Sequence, residues 1–459
     1  MDVAATTAPV AQARYPTFAE ALRFWMKLGW ISFGGPAGQI AIMHTEIVER
    51  RRWISERRFL HALNYCMILP GPEAQQLAIY IGWLLHRTAG GIAAGAFFVI
   101  PSIFILWTLS FIYAAYGNVP WIAAAFYGLK PAVLAIVLAA VLRIGRKALK
   151  NELMWIIAGL AFMAIYFFKI PFPVIVFTAG VVGWLGGKWL PGKFVGVDGG
   201  GHGPKSATTD AAETALAPAI ISDDAGGAPH TRPQLPRALR VAAIWLLLWA
   251  APLIALALWL GGGHTLVKEG IFFSKAATVT FGGAYAVLPY VSQQAVEHYH
   301  WLAPGQMLDG LGLAETTPGP LIMVLQFVGF MGGWNFPDGL PPLLAATLGA
   351  LITTWTTFTP CFLWVLVGAP YMERLRDNRR LAAALSTITA AVVGVILNLA
   401  VWFGGHVLFP AGFSALPDGF CIALCLAAFV AMQRFQWELI PVVLASGALG
   451  IVWKMALGF

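Results

Sequence analysis

The residues best suited to chemistry in this chain gather around two kinds of helix-breaking sequence. One is Ser32-Phe33-Gly34-Gly35-Pro36, with Lys27 a short way ahead; the other is Pro70-Gly71-Pro72-Glu73, followed by Gln75 and Gln76. Each has a partner late in the chain: Thr280-Phe281-Gly282-Gly283 with Lys275 ahead of it, and Glu315-Thr316-Thr317-Pro318-Gly319-Pro320. Glycine weakens a helix and proline removes a backbone donor, so such clusters end one helix and begin another. A helix start offers unpaired N–H groups and about half a positive charge, and glycine lets an anion approach the backbone. The expected chemistry is therefore the binding of a small oxyanion. The expected binding residues are Lys27, Ser32, Gly34, Gly35, Gly71, Gln75, Gln76, Lys275, Thr280, Gly282, Gly283, Thr317 and Gly319.

Glu73 and Glu315 flank two of the breaks. A carboxylate beside an oxyanion repels it unless protonated, so both are candidate proton-coupling groups; complementing a helix dipole is their structural alternative. Lys27 and Lys275 bind or gate in one reading and snorkel to the headgroups in the other. Lys130 has no lysine counterpart in the second half (Thr389), and it too is open to a site role or snorkelling.

Other chemistries find little support. Cys66, Cys361, Cys421 and Cys425 lie in apolar segments and read as packing residues, although Cys421 and Cys425 share a helix face. His44, His61 and His86 lack metal-ligand spacing. There is no phosphate-binding loop. No metal, cofactor, ATP or enzymatic reaction is expected.

The elements that must position these residues are membrane helices. The 459 residues are 59% hydrophobic and 11% charged, against roughly 25% charged in a soluble domain. Gly90–Tyr113, Trp121–Leu142, Val241–Leu260, Leu343–Val367 and Leu381–Phe403 meet the about 20 apolar residues needed to cross a bilayer. The N-terminal residues carry no charged-then-apolar signal pattern, so no cleaved peptide is expected. The net charge of +8 sits in short loops beside apolar spans and orients the protein, without implying nucleic acid.

The chain repeats itself. The register that maps Lys27 on Lys275 and Phe33-Gly-Gly on Phe281-Gly-Gly also maps Trp53 on Trp301 and Pro70-Gly-Pro on Pro318-Gly-Pro. Beyond a Gly/Pro-rich insertion around Gly332–Pro342, Pro101 maps on Pro360 and Ala132-Val133 on Ala391-Val392. The expected layout is a polar tail (1–17), a first repeat (18–190), a flexible linker (191–239), a connecting helix (240–262) and a second repeat (263–459). About 13 hydrophobic segments result, in an all-α polytopic membrane protein.

If each segment crossed once, the basic loops Arg50–Arg58 and Arg143–Lys150 would face opposite sides, against the positive-inside rule. The conflict disappears when Phe18–Met43 and Phe59–Leu85 dip in and return at their breaks. Irregular backbone at that depth must be buried in protein or line a wet cavity. The connecting helix then makes the second copy enter from the opposite face. That places Arg374, Arg376, Arg379, Arg380 and Arg434 inside, and Glu297–Trp301, which lacks Lys and Arg, outside. The expected fold is two inverted repeats with discontinuous helices, an architecture common in secondary transporters.

At Phe33-Gly-Gly-Pro-Ala-Gly-Gln-Ile-Ala-Ile-Met43, Pro70-Gly-Pro-Glu-Ala-Gln-Gln-Leu-Ala-Ile-Tyr-Ile-Gly82, Phe281-Gly-Gly-Ala-Tyr-Ala-Val-Leu-Pro289 and Thr317-Pro-Gly-Pro320, the chain resembles the chromate ion transporter family in its long, two-domain form. The resemblance covers nearly everything except the tail and linker. It departs at Gln39, where many members carry His, and at Leu321-Ile-Met-Val, which replaces the Glu-Ala-Gln-Gln run in copy two. It implies chromate export from the cytoplasm across a bacterial inner membrane, conferring chromate resistance. A sulfate or general oxyanion carrier, or an anion channel, are the alternatives, since chromate and sulfate are both tetrahedral dianions. The partners it implies are chromate, with sulfate as its analogue, and membrane lipid; a homodimer is allowed.

Overall fold

The computed structural model describes residues 14–194, 219–221, 229–371 and 378–457. Most of the expected 1–17 tail and 191–239 linker, and Arg374 and Arg376, lie outside the described residues.

Both copies lay down the same order of helices. The first contains α1 (Phe18–Ile31), α2 (Gly35–Met43, continued by a π turn over His44–Arg50), α3 (Glu56–Cys66), α4 (Glu73–Tyr116), α5 (Pro120–Ala148), α6 (Glu152–Tyr166) and α7 (Phe172–Trp189). After α8 (Leu235–Leu260), the second contains α9 (Thr265–Val279), α10 (Ala284–Ser292, with a π turn over Gln293–His298), α11 (Pro304–Glu315) and α12 (Val324–Asn335). It closes with α13 (Pro342–Gly368), α14 (Arg379–Leu408), α15 (Gly419–Arg434) and α16 (Leu439–Ala456). Seven helices among the described residues are long and apolar enough to cross a membrane.

Helix starts away from the breaks often carry side-chain caps. Thr17 and Glu20 form a capping box on α1, and Ser55, Asn151, Asn378 and Asp418 cap α3, α6, α14 and α15, each satisfying backbone donors that the helix leaves open. α8 begins at Leu235, five residues ahead of the expected 240, because Pro236 in its first turn supplies a helix-ready φ. It lies at the periphery with Leu247, Leu258 and Trp259 exposed, and docks through Trp245 stacked on Phe362 at 4.8 Å. The described part of the linker is tied down: the Ser55 N–H donates to Ile221 O at 3.0 Å, beside the first basic loop.

α4 reverses direction at His86 (φ −133°) and Arg87 (φ 54°). Its arms, 73–85 and 88–116, pack backbone to backbone: a methyl on Gly82 would lie 2.4 Å from the Gly90 carbonyl oxygen. These arms correspond to α12 and α13, where a methyl on Gly349 would meet the Gly329 carbonyl at 2.2 Å. Small residues permit such close crossings in membrane bundles.

The segments carrying the breaks fold back on themselves. Phe24, midway along α1, meets Trp53, beyond the π turn, at 5.5 Å between rings; the matching pair, Phe272 and Trp301, stands at 5.7 Å. Arg58 near the start of α3 donates to the Tyr80 hydroxyl at 3.3 Å, and Asn335 at the end of α12 donates to Trp301 O, ahead of α11, at 2.8 Å. Each hairpin therefore begins and ends at one level, with its Gly/Pro break at the tip.

Counterpart helices run in opposite directions. Along the 88–116 arm and α13, Gly91 faces Leu366, Gly95 faces Phe362, and Trp107 donates to Thr347 at 3.1 Å. One numbering rises as the other falls, yet Pro101 and Pro360 mark these helices as equivalents. The copies are thus related by a pseudo-two-fold that inverts helix direction. They also exchange partners: α7 packs on α14 through Gly183 and Thr387, and α16 packs on α5 through Gly450 and Gly128.

Candidate anion site at four broken helices

The four breaks meet in two reciprocal pairs. The Gly71 N–H donates to Thr280 O at 2.8 Å, and the Gly319 N–H donates to Ser32 O at 2.7 Å. Each bond joins the Pro-Gly-Pro loop of one copy to the first break of the other. The same exchange recurs in the flanking arms. Ser102, following Pro101, donates to Pro318 O at 2.5 Å; Cys361, following Pro360, lies 2.9 Å from where a Gly71 methyl would be.

The glycines of these breaks hold left-handed φ: +85° and +70° at Gly34 and Gly35, +82° and +89° at Gly282 and Gly283, +122° at Gly71 and +104° at Gly319. A side chain on Gly35 would meet nothing within 4 Å, and one on Gly283 would meet only Glu73 Oε1 at 3.8 Å. The Gly-Gly pairs therefore border open space, whereas Gly71 and Gly319 are wedged against the opposite copy. The helices that start here, α2, the 73–85 arm, α10 and the turn leading into α12, have no side-chain cap. Their backbone donors remain available to an anion.

Several expected ligands have a different task in this conformation. The hydroxyls of Ser32, Thr280 and Thr317 donate to Leu28 O, Ala276 O and Leu313 O, at 2.6, 2.6 and 2.7 Å. A hydroxyl has one proton to give, so these close helix ends. Gln76 donates to Pro70 O at 2.7 Å and Gln75 to Gly95 O at 3.3 Å, bracing the loop and the neighbouring arm. Gln39, where the family resemblance departs, donates to Gly319 O at 2.5 Å and Ser32 O at 3.3 Å, clamping the second pair of breaks. The donors left for an oxyanion are backbone N–H groups and the second amide protons of Gln75 and Gln76.

Lys27 and Lys275 lie exposed, outside these clusters; Lys27 is near enough for its charge to act on Glu46. Glu315 accepts from Tyr285 at 2.6 Å. Arg143 acts electrostatically on Glu315, and Lys147 on Glu73, so α5 brings cations toward the carboxylates that the sequence places beside the breaks. Lys130 is not a free cation: its Nζ lies 3.6 Å from Asp309 of the second copy, which also accepts from Tyr113 at 2.8 Å. Asp309 and Arg143 escape sequence reading because their partners come from the opposite copy, and Tyr285 because its partner Glu315, 30 residues away in the same copy, shares no motif with it. Among the described residues, no three His, Cys, Asp or Glu side chains gather as metal ligands.

Comparison with known proteins agrees with this architecture. Residues 19–184 and 268–451 match the family described as Chromate transporter, so the two matched stretches coincide with the two structural copies. The chain is 27% identical to the chromate transport protein of Cupriavidus metallidurans, covering 97% of this chain and 95% of that one. It is 30% identical to the chromate transport protein of Pseudomonas aeruginosa, over 93% and 90%. The uncharacterized transporter YwrA of Bacillus subtilis, 27% identical, matches 34% of this chain over 89% of its own length, about the span of one copy. No solved structure matches. The chain belongs to the chromate transporter family.

Proposed function

We propose that this protein is a secondary active transporter that exports chromate from the cytoplasm across the bacterial inner membrane and so confers chromate resistance. The observation that carries the reading is the meeting of four uncapped helix starts in two reciprocal pairs across an inverted repeat. Gly34, Gly35, Gly282 and Gly283 let the dianion approach the backbone. Ser32, Thr280, Thr317, Gln75, Gln76, Gly71 and Gly319 hold that backbone in place. Lys27 and Lys275 act as rim cations that raise the local anion concentration. Glu73 and Glu315 carry protons during turnover, since a charged carboxylate there opposes an arriving dianion.

The test is chromate uptake by everted vesicles with and without an inwardly acid proton gradient. Gradient-stimulated uptake is expected, and wild-type vesicles without it defeat the reading. Trans-stimulation by unlabelled chromate separates a carrier from a channel, and competition by sulfate measures selectivity. Gly35→Leu, which fills the open space at the first break, is expected to reduce uptake to background with the protein still inserted. Lys27→Ala is expected to slow uptake most at low ionic strength, where a rim charge steers best.

Sidedness has its own prediction. With four crossings after the two hairpins of copy one, and α8 adding another, single cysteines at Glu49 and Glu297 are expected to react with impermeant maleimide from opposite faces. Labelling of both from one face contradicts the orientation.

A further inference from the structure

Glu269, in α9, has no part in the anion site and no counterpart in the first copy. Its side chain is fully buried (0% exposed), and neither carboxylate oxygen has a hydrogen-bond partner among the described residues. Two glycines make room for it. A methyl on Gly332 of α12 would lie 2.1 Å from Oε1, and one on Gly349 of α13 would lie 2.8 Å from Oε2. The repeat register shows the exchange that built this niche: Ala21 stands in place of Glu269 in copy one, and Leu84 in place of Gly332. Copy one fills the space with hydrocarbon, whereas copy two gives up a side chain to house an acid.

An ionised, unpaired carboxylate in such a niche is strongly disfavoured, because nothing there replaces its lost hydration, so the resting group is the neutral acid. An open cleft of about 550 Å³ lies close by, lined by His264, Thr265, Lys268, Tyr299, Trp301 and Asp338, among others, near the end of α8. Trp301 is both a wall of this cleft and a neighbour of the niche, its Cγ 3.2 Å from the same Gly332 methyl position. The charged and titratable groups lining the cleft are His264, Lys268, Tyr299 and Asp338, while α12 contributes no ionisable side chain, α13 only Cys361, twelve residues beyond Gly349, and α10 only Tyr285 and Tyr290. α8 adds Arg237 and Arg240, both at its opposite end. Asp338 is held by the Thr265 N–H at 2.7 Å.

We propose that Glu269 is a proton-binding site, loaded through this cleft, unloaded toward the opposite side of the membrane when α9 shifts, and distinct from the anion site. Losing its proton drives the carboxylate out of the glycine niche, past Trp301, toward Lys268 and His264, and α9 must shift against α12 and α13 to allow it. α9 ends at Thr280, whose carbonyl receives the Gly71 N–H, about 16 Å along the helix from Glu269. The proton site and the anion closure thus share one rigid element. In the orientation argued above, the cleft faces outside, where protons enter an exporter.

This inference rests on the transport reading, and its test separates the two. Glu269→Gln, the isostere of the neutral acid, is expected in proteoliposomes to retain chromate–chromate exchange while losing proton-gradient-driven accumulation by at least about tenfold. Wild-type accumulation with an unchanged pH profile in Glu269→Gln overturns the proton site and leaves the transport reading standing. Absence of any chromate flux in the wild type overturns the transport reading instead. If the variant fails to fold, dicyclohexylcarbodiimide labelling of the wild-type chain decides, read by mass spectrometry. An adduct at Glu269 that declines as pH rises is expected, and its absence where other buried carboxylates react overturns the proposal.

Discussion

Gly319→Ala is expected to lower chromate flux by about a hundredfold or more while leaving the protein in the membrane. Two costs add at this position. The backbone holds φ at +104°, a conformation that charges a non-glycine residue about 1–3 kcal/mol. The new methyl would also lie 1.8 Å from Ser102 Oγ, and relieving that overpacking costs a further about 1–3 kcal/mol. Both fall on a loop whose N–H closes the second pair of breaks. Since about 1.4 kcal/mol is a factor of ten, the closed geometry becomes a rare state. Adding Ser102→Gly removes the steric part together with the hydrogen bond from Ser102 to Pro318 O, so it is expected to restore at most about tenfold of the lost flux. Uptake assays on membranes matched for protein content read both numbers, and wild-type flux in Gly319→Ala defeats the assignment of this break.

Lys130→Met is expected to be strongly destabilising. It leaves the Asp309 carboxylate, 3% exposed, with Tyr113 as its remaining partner. Removing one member of a buried pair typically costs about 3–5 kcal/mol; Lys130 is 32% exposed, which sets the expectation at the lower end, about 3 kcal/mol. Asp309→Asn alone is milder, because Lys130 reaches water. The double change Lys130→Met with Asp309→Asn is expected to recover most of the loss, since no unpaired buried charge remains. Thermal unfolding in detergent across this cycle measures the coupling, and additive effects would show that the pair contributes nothing.

Much of this architecture was legible in the sequence, for identifiable reasons. Membrane helices announce themselves by length and apolarity. The duplication showed because Phe-Gly-Gly and Pro-Gly-Pro stayed in register with Trp53 and Trp301. The inversion followed from where Arg50–Arg58 and Arg143–Lys150 had to lie. Individual contacts were less legible. A hydroxyl near a break looks like a ligand, yet Ser32 and Thr280 each donate to the fourth preceding carbonyl, because a terminating helix leaves that acceptor open. Lys130 looked solitary because its acid lies 179 residues away in the other copy. Glu269 carried no motif at all. Its meaning lies in two glycines on other helices, and comparing the copies position by position, Ala21 with Glu269 and Leu84 with Gly332, was the signal that could have found it.

The reciprocal bonds between the breaks bear on how little energy a transport cycle needs. Gly71 to Thr280 and Gly319 to Ser32 are the same bond made twice, once in each orientation. A conformation that loosens one while keeping the other has a twin in which the roles are swapped, and inversion turns that twin to face the opposite compartment. Twins built from identical local interactions are close in free energy by construction. The differences between copies, such as Glu269 and the Lys130–Asp309 pair, are then the only terms that tilt the exchange. A bias of a few kcal/mol suffices to move such a near-degenerate equilibrium from one side to the other, which is a load that a single proton can carry.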